Sequence, residues 1–236
     1  MDNQPPLWSI DSFESRNVPD FVRNAYTDIL PYIKSFLTSK HPHRNGVVCP
    51  FMPQAIKNQE IYFTYFEPQH NCDETITNCL KFYTSHRDKK TFGAIIILFP
   101  EDFSIEELLK IHIRNKEQCI RQSMMLGALY RTSSAPSLHS SEYYPLRTPT
   151  PILVLRDITA SDLVFLEPDH YSLKSKHIFL SAFIRHFSAD RRSSYTDLQL
   201  AKAITLRKFI TYKIIFSRLL LASCLVTTVM ILTLFL

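Results

Sequence analysis

Glycine is nearly absent from this chain: Gly46, Gly93 and Gly127 are the only three in 236 residues. So few glycines leave little room for left-handed turns or for loops that cradle phosphate with bare backbone. Neither G-x-G-x-x-G nor G-x-x-x-x-G-K-[ST] occurs, which excludes the usual dinucleotide and P-loop sites. Cysteine is sparse and odd in number, at 49, 72, 79, 119 and 224, with no C-x-x-C pair. His41-x-His43 with Cys49, and His70-x-Cys72 with Cys79, offer ligand-type side chains without zinc-site spacing, so no metal is expected. A secretory leader is also missing: the opening MDNQPPLWSIDSFESRN is polar and acidic. The expectation is a reducing, cytosolic setting with free thiols.

What the chain does have is apolar mass. Hydrophobic residues are 45% and aromatics 12%, enough to rule out disorder and to fill one large core. The last eighteen residues, LLLASCLVTTVMILTLFL (219–236), carry no charge, proline or glycine. At 1.5 Å per residue they reach roughly 27 Å, about one hydrocarbon thickness. Residues 214–236 therefore read as a C-terminal transmembrane helix, with the lipid bilayer as first partner. Arg207, Lys208, Lys213 and Arg218 precede the run, with no acidic residue after Asp197. By the positive-inside rule this side, and the whole domain, faces the cytosol, and the collar attracts anionic lipid head groups. That position accounts for the basic excess of +5, and no nucleic acid is expected.

Before the anchor, periodicity alternates between helix and strand. Residues 19–39 read as a helix bent or restarted at Pro31, 72–86 as a helix, 104–121 as a helix opened by a capping box, and 175–188 as a helix. Residues 60–66, 92–100, 123–130 and 151–158 read as strands. The fold class is α+β: a mixed or antiparallel sheet of four or more strands covered by helices. The boundaries are an N-terminal extension over 1–18, an α+β domain over 19–190, a basic juxtamembrane helix over 191–213 and the tail anchor over 214–236.

Chemistry concentrates in two places. In HPHRNGVVCPFMP (41–53), Pro50 and Pro53 fix the backbone and Gly46 allows a turn, so the stretch reads as a stiff non-helical corner carrying Phe51 and Met52. Cys49 there is either a packed thiol or a nucleophile, with His41, His43 and Arg44 near in sequence. The Ser/Pro/Thr-rich segment 131–150 is too long for an idle connection. It leads into the fourth strand through Arg147, and Arg156 sits near that strand's end. With Tyr130, His139, Tyr143 and Tyr144, these guanidinium groups are candidates for clamping an anionic ligand. The ligand-binding candidates are thus Arg44, His139, Arg147 and Arg156.

VCPFMPQAI, MMLGALY and PLRTPTPILVLRDITASDLVFL together resemble an uncharacterised bacterial domain family with VCPFxP and PLRxPxPxLxxR motifs, over about residues 40–167. More distantly the layout resembles the YqcI/YcgG family, which includes a heme-dependent N-hydroxylase. That resemblance implies heme as a cofactor, with Arg147 or Arg156 pairing the propionates. Tyr130 stands where the pattern has a histidine, which makes Tyr130 the candidate iron ligand, with Cys49 the other catalytic candidate. Two functions follow: a heme-dependent oxidoreductase acting on a small molecule, or a non-enzymatic membrane-tethered module binding an anionic ligand, lipid head group or protein.

Overall fold

The computed structural model describes residues 6–13, 17–67, 71–86, 93–189 and 193–234, with side chains up to residue 220. The chain divides into two compact units, Met1–Asp157 and Ile158–Leu236.

The first unit is built on a five-stranded mixed sheet in the order β1-β2-β3-β5-β4. The strands are β1 (Trp8–Ser9), β2 (Ile61–Tyr65), β3 (Ala94–Leu98), β4 (Met124–Leu129) and β5 (Ile152–Asp157). β3 is central: it pairs in parallel with β2 and antiparallel with β5. Every residue of AIIIL is buried, as a strand covered on both faces requires. The helix α3 (Cys72–His86) links β2 to β3, and α4 (Ile105–Arg121) carries the chain on to β4. β5 then returns through 130–151 and inserts between β3 and β4, antiparallel to both. The result is a split β-α-β arrangement.

Strand alternation sorts the core into two layers. Phe63, Ile96, Leu98 and Ile152 face one side, where Trp8, Phe13 and the helix α1 (Asp20–Pro31) pack. Ile95, Ile97, Leu126, Leu153 and Leu155 face the other, under α3 and α4. Each fully buried aliphatic or aromatic side chain contributes about 1.5–3 kcal/mol relative to exposure. Ser104 caps α4, its hydroxyl accepting from Glu107 N–H.

Two local expectations are corrected. The segment 1–18, read as an extension, supplies β1 and the buried Trp8, Ile10, Phe13 and Val18. Pro53 leaves Phe51 outside a helix, as its N-cap, but not Met52. It sits in the first turn of α2 (Met52–Lys57), where a missing N–H costs nothing.

In the second unit, Thr159 and Asp162 form a full capping box. It opens a short 3-10 segment, Ala160–Leu166, and the Asp162 carboxylate accepts from Thr159 N–H at 2.7 Å. Then α5 (Leu173–Ala189) packs Phe179, Leu180 and Phe183 inward. α6 (Ser194–Leu234) is one continuous helix of 41 residues, where the sequence pattern separates a juxtamembrane helix from an anchor. Among the described residues no helix is long and apolar enough to cross a membrane. The span expected over 214–236 falls mostly on 221–236, whose side chains lie outside the described residues.

Candidate functional site

Pro31 ends α1 and sets the site in motion. Proline lacks the N–H that continues the ladder, and the next turn widens into a π-helical segment, Tyr32–Phe36, closed by Leu37 N–H on Tyr32 O at 2.9 Å. Such widened turns re-aim side chains. Here Tyr32 donates its hydroxyl to Pro145 O at 2.6 Å, and the Phe36 ring lies 6.3 Å from Tyr143. Two segments more than a hundred residues apart are thereby joined. Burial, with Cys49 and Tyr143 nearby, pushes the Tyr32 phenol far above its ordinary pKa, so it stays a neutral donor.

The chain then doubles back in a small hairpin. Lys40 bridges Val47, and His41 N–H reaches Gly46 O at 2.9 Å. Gly46 has φ +90, a conformation that strains any residue with a Cβ. Arg44 folds over the turn, with Nη2 donating to Val47 O at 2.6 Å and Val48 O at 3.1 Å. Cys49 N–H donates to Leu37 O at 2.8 Å, which closes the corner.

His41 is the pivot. It is 3% exposed. Its Nδ1 accepts from His43 N–H at 3.0 Å, which puts the ring proton on Nε2, 3.4 Å from Ser137 Oγ. Ser137 Oγ also accepts from His139 N–H at 3.2 Å. The rings of Tyr143, His139 and His43 stand 5.0, 5.6 and 6.2 Å from that of His41. Burial first, then the charges of Arg44, His139 and His43, lower the His41 pKa. A neutral imidazole with both nitrogens engaged clips the hairpin to the 131–150 segment. It is not placed as a free base.

The expected site residues separate on this frame. Arg44, His139 and Cys49 gather at the corner, but the guanidinium of Arg44 is spent on its own turn. Arg147 belongs to the same segment as His139. Its Nε donates to Ser133 O at 2.9 Å and its guanidinium lies 3.9 Å above the Tyr144 ring. Arg156 does not join them. It is paired with Ala94 and Met125, at the end of β5 remote from Ile152, and four strand residues amount to roughly 13 Å. Its Nη1 donates to Asp157 O at 2.8 Å. Tyr130 follows β4 on the other face and packs against the core under α3 and α4. Arg147 and Arg156, the alternative propionate partners of the heme reading, thus do not converge on one ligand.

Cys72, Cys79 and Cys119 are buried, and burial pushes each thiol up to about 12. They are packing residues, inert as thiolates at neutral pH. Among the described residues, no group of three His, Cys, Asp or Glu is placed to hold a metal ion. Tyr32 and Ser137 are the site residues that sequence motifs missed. An aromatic directly after a mid-helix proline was the one available signal, since the partners of both lie on remote segments.

No curated protein and no solved structure matches the chain. A family model does match, over residues 26–196, ending before the basic and apolar turns of α6. That span takes in the whole corner, the sheet from β2 onward and α5, and the chain belongs to the family described as Domain of unknown function (DUF6875).

Proposed function

We propose that the chain is a membrane-held binding module whose ligand surface is the corner joining residues 32–49 to 131–147, and that the ligand is an anion. One observation carries the reading: the state of Arg147. Its plane is fixed by Tyr144 and its Nε by Ser133 O. The remaining guanidinium N–H groups have no bond among the described residues, and the side chain is exposed. A pre-oriented guanidinium with donors to spare suits a phosphate or carboxylate. Exposed His139 and His43 and half-buried Tyr143 flank the same region.

The test uses the full chain in non-ionic detergent, titrated with phenyl phosphate by calorimetry. Saturable binding is expected, about tenfold weaker or worse in Arg147→Ala, the loss of a charge-assisted pair. No saturable binding, or an Arg147→Ala chain that binds equally well, overturns it.

The membrane half of the reading is supported by the charge-free run 219–236 and the basic collar Arg207, Lys208, Lys213 and Arg218, with the domain on the cytosolic side and anionic head groups at the collar. It predicts that the chain pellets with membranes and resists alkaline extraction. The heme-dependent variant suggested by the distant YqcI/YcgG likeness is not adopted, because Arg156 lies at the far end of β5 and Tyr130 packs into the core under α3 and α4. Purified protein is expected to lack a Soret band after hemin addition.

A further inference from the structure

Among the described residues α6 has two apolar faces, and only one of them is buried. Leu200, Ala203 and Ile210 are buried along one side, where α6 packs with α5. Phe209, Tyr212, Phe216 and Leu219 stand on another side and are 56%, 70%, 64% and 63% exposed. At 100° per residue the two stripes are centred roughly 170° apart. Upstream, beyond the polar Lys202 and Thr205 on the same side, Tyr195 and Leu198 are also 49% and 64% exposed. A row of large apolar side chains on this scale is not an ordinary solvated surface.

The charges select its occupant. From Leu198 to Leu220 there are five basic residues, Lys202, Arg207, Lys208, Lys213 and Arg218, and no acidic one. A second copy of α6 would suit the 3-4-3 spacing, which is that of a coiled-coil seam. In a parallel pair, however, Lys208 and Lys213 would flank the seam, and each Lys208 would face Lys213 of the other copy, like against like. An anionic bilayer surface satisfies both features: aromatic side chains settle at the head-group level and the lysines meet lipid phosphate and carboxylate. Lys213 Nζ already lies 4.5 Å over the Phe209 ring, so one charge and one ring travel together.

We infer that the outer face of α6 from Phe209 to Leu220 is an interfacial lipid face for anionic head groups. This rests on the reading that the chain is held at a bilayer, and not on any crossing by residues 219–236.

The test places one tryptophan at a time in the full chain, as Phe209→Trp, Phe216→Trp and Ser217→Trp, over the constant signal of buried Trp8. Ser217 is exposed but about 100° away from Phe216. Vesicles contain phosphatidylcholine and phosphatidylserine with part of the phosphatidylcholine dibrominated. Quenching is expected in the Phe209→Trp and Phe216→Trp chains and not in Ser217→Trp. Lys208→Gln with Lys213→Gln should weaken vesicle binding about tenfold or more, and omission of phosphatidylserine should act likewise. Equal quenching in the Phe216→Trp and Ser217→Trp chains means lipid all round the helix: the membrane reading then stands and this inference falls. Vesicle binding without quenching at either stripe position, or a cross-linked dimer with both stripe reporters shielded from bromine, also overturns it. Failure to bind any vesicle removes both.

Discussion

Two glycines test the close packing of the first unit in opposite directions. A Cβ on Gly93 would meet Glu60 O at 2.6 Å, a backbone atom that cannot step aside, and Glu60 O also accepts from Ala94 N–H. Gly93 N–H additionally donates to the Tyr83 hydroxyl, which lies 2.8 Å from Asp157 Oδ2. A Cβ on Gly127 would meet nothing nearer than Leu129 Cδ1 at 3.5 Å, an ordinary contact. Gly93→Ala is therefore expected to destabilise by about 1–3 kcal/mol, and Gly127→Ala to lie within about 0.5 kcal/mol of wild type, both by denaturant titration. The space around the Gly127 Cα does not require glycine. His41 gives a pH dependence at the same scale. Its folded pKa is lowered, so as pH falls through about 6.5 the unfolded chain takes up the proton first and stability drops. The loss levels off only below the folded pKa. His41→Gln should flatten the fall in melting temperature between about pH 7 and pH 5.5, whereas an unchanged slope would show that other groups govern it.

At the scale of elements, the π-helical turn after Pro31 governs what the corner can do. Tyr32→Phe removes the bond to Pro145 O while keeping the ring against Phe36. A cost of about 1 kcal/mol is expected, with faster amide exchange confined to residues 131–147. Exchange that accelerates uniformly would mean that the bond is not a local clip. The long, strongly periodic elements were legible beforehand. CDETITNCLKFYTSH carries acids early and a histidine late, and AIIIL is an unbroken apolar run with three β-branched residues at its centre; both form the elements their patterns predict. The widened turn was not legible, because proline signals interruption without specifying its register. Nor was α2, because a proline pair reads equally as extended chain or as a helix start. Arg156 stands apart from the corner for a related reason. Nearness to Arg147 in sequence translates into distance once a strand is fully extended.

At the scale of the whole molecule, the least regular stretch of sequence seals a core. Trp8 is 2% exposed, stacks on Phe63 with ring centroids 6.2 Å apart, and touches Phe13. Trp8→Ala should cost about 3–5 kcal/mol, and its thermal unfolding would show whether β1 is integral to the fold. A change under 1 kcal/mol would restore residues 1–18 to the status of an appendage. A two-residue strand has no periodicity to detect, and its apolar residues are scattered among polar ones. That explains why the mixed sheet was legible and its edge was not. The site was half legible for a similar reason. His139 and Arg147 lie in a segment whose composition announces it, but His41 acquires its role from Ser137, 96 residues away.

The placement of β5 between β3 and β4 bears on the order in which the protein is made. A nascent chain that has emerged as far as residue 130 holds both outer neighbours of a strand that has not yet emerged. Their facing edges have nothing to bond until Ile152–Asp157 arrives, and the Arg147 segment must be threaded into place just before. Synthesis halted in this interval would leave two open edges bare at once, which is when the growing polypeptide is most in need of a chaperone.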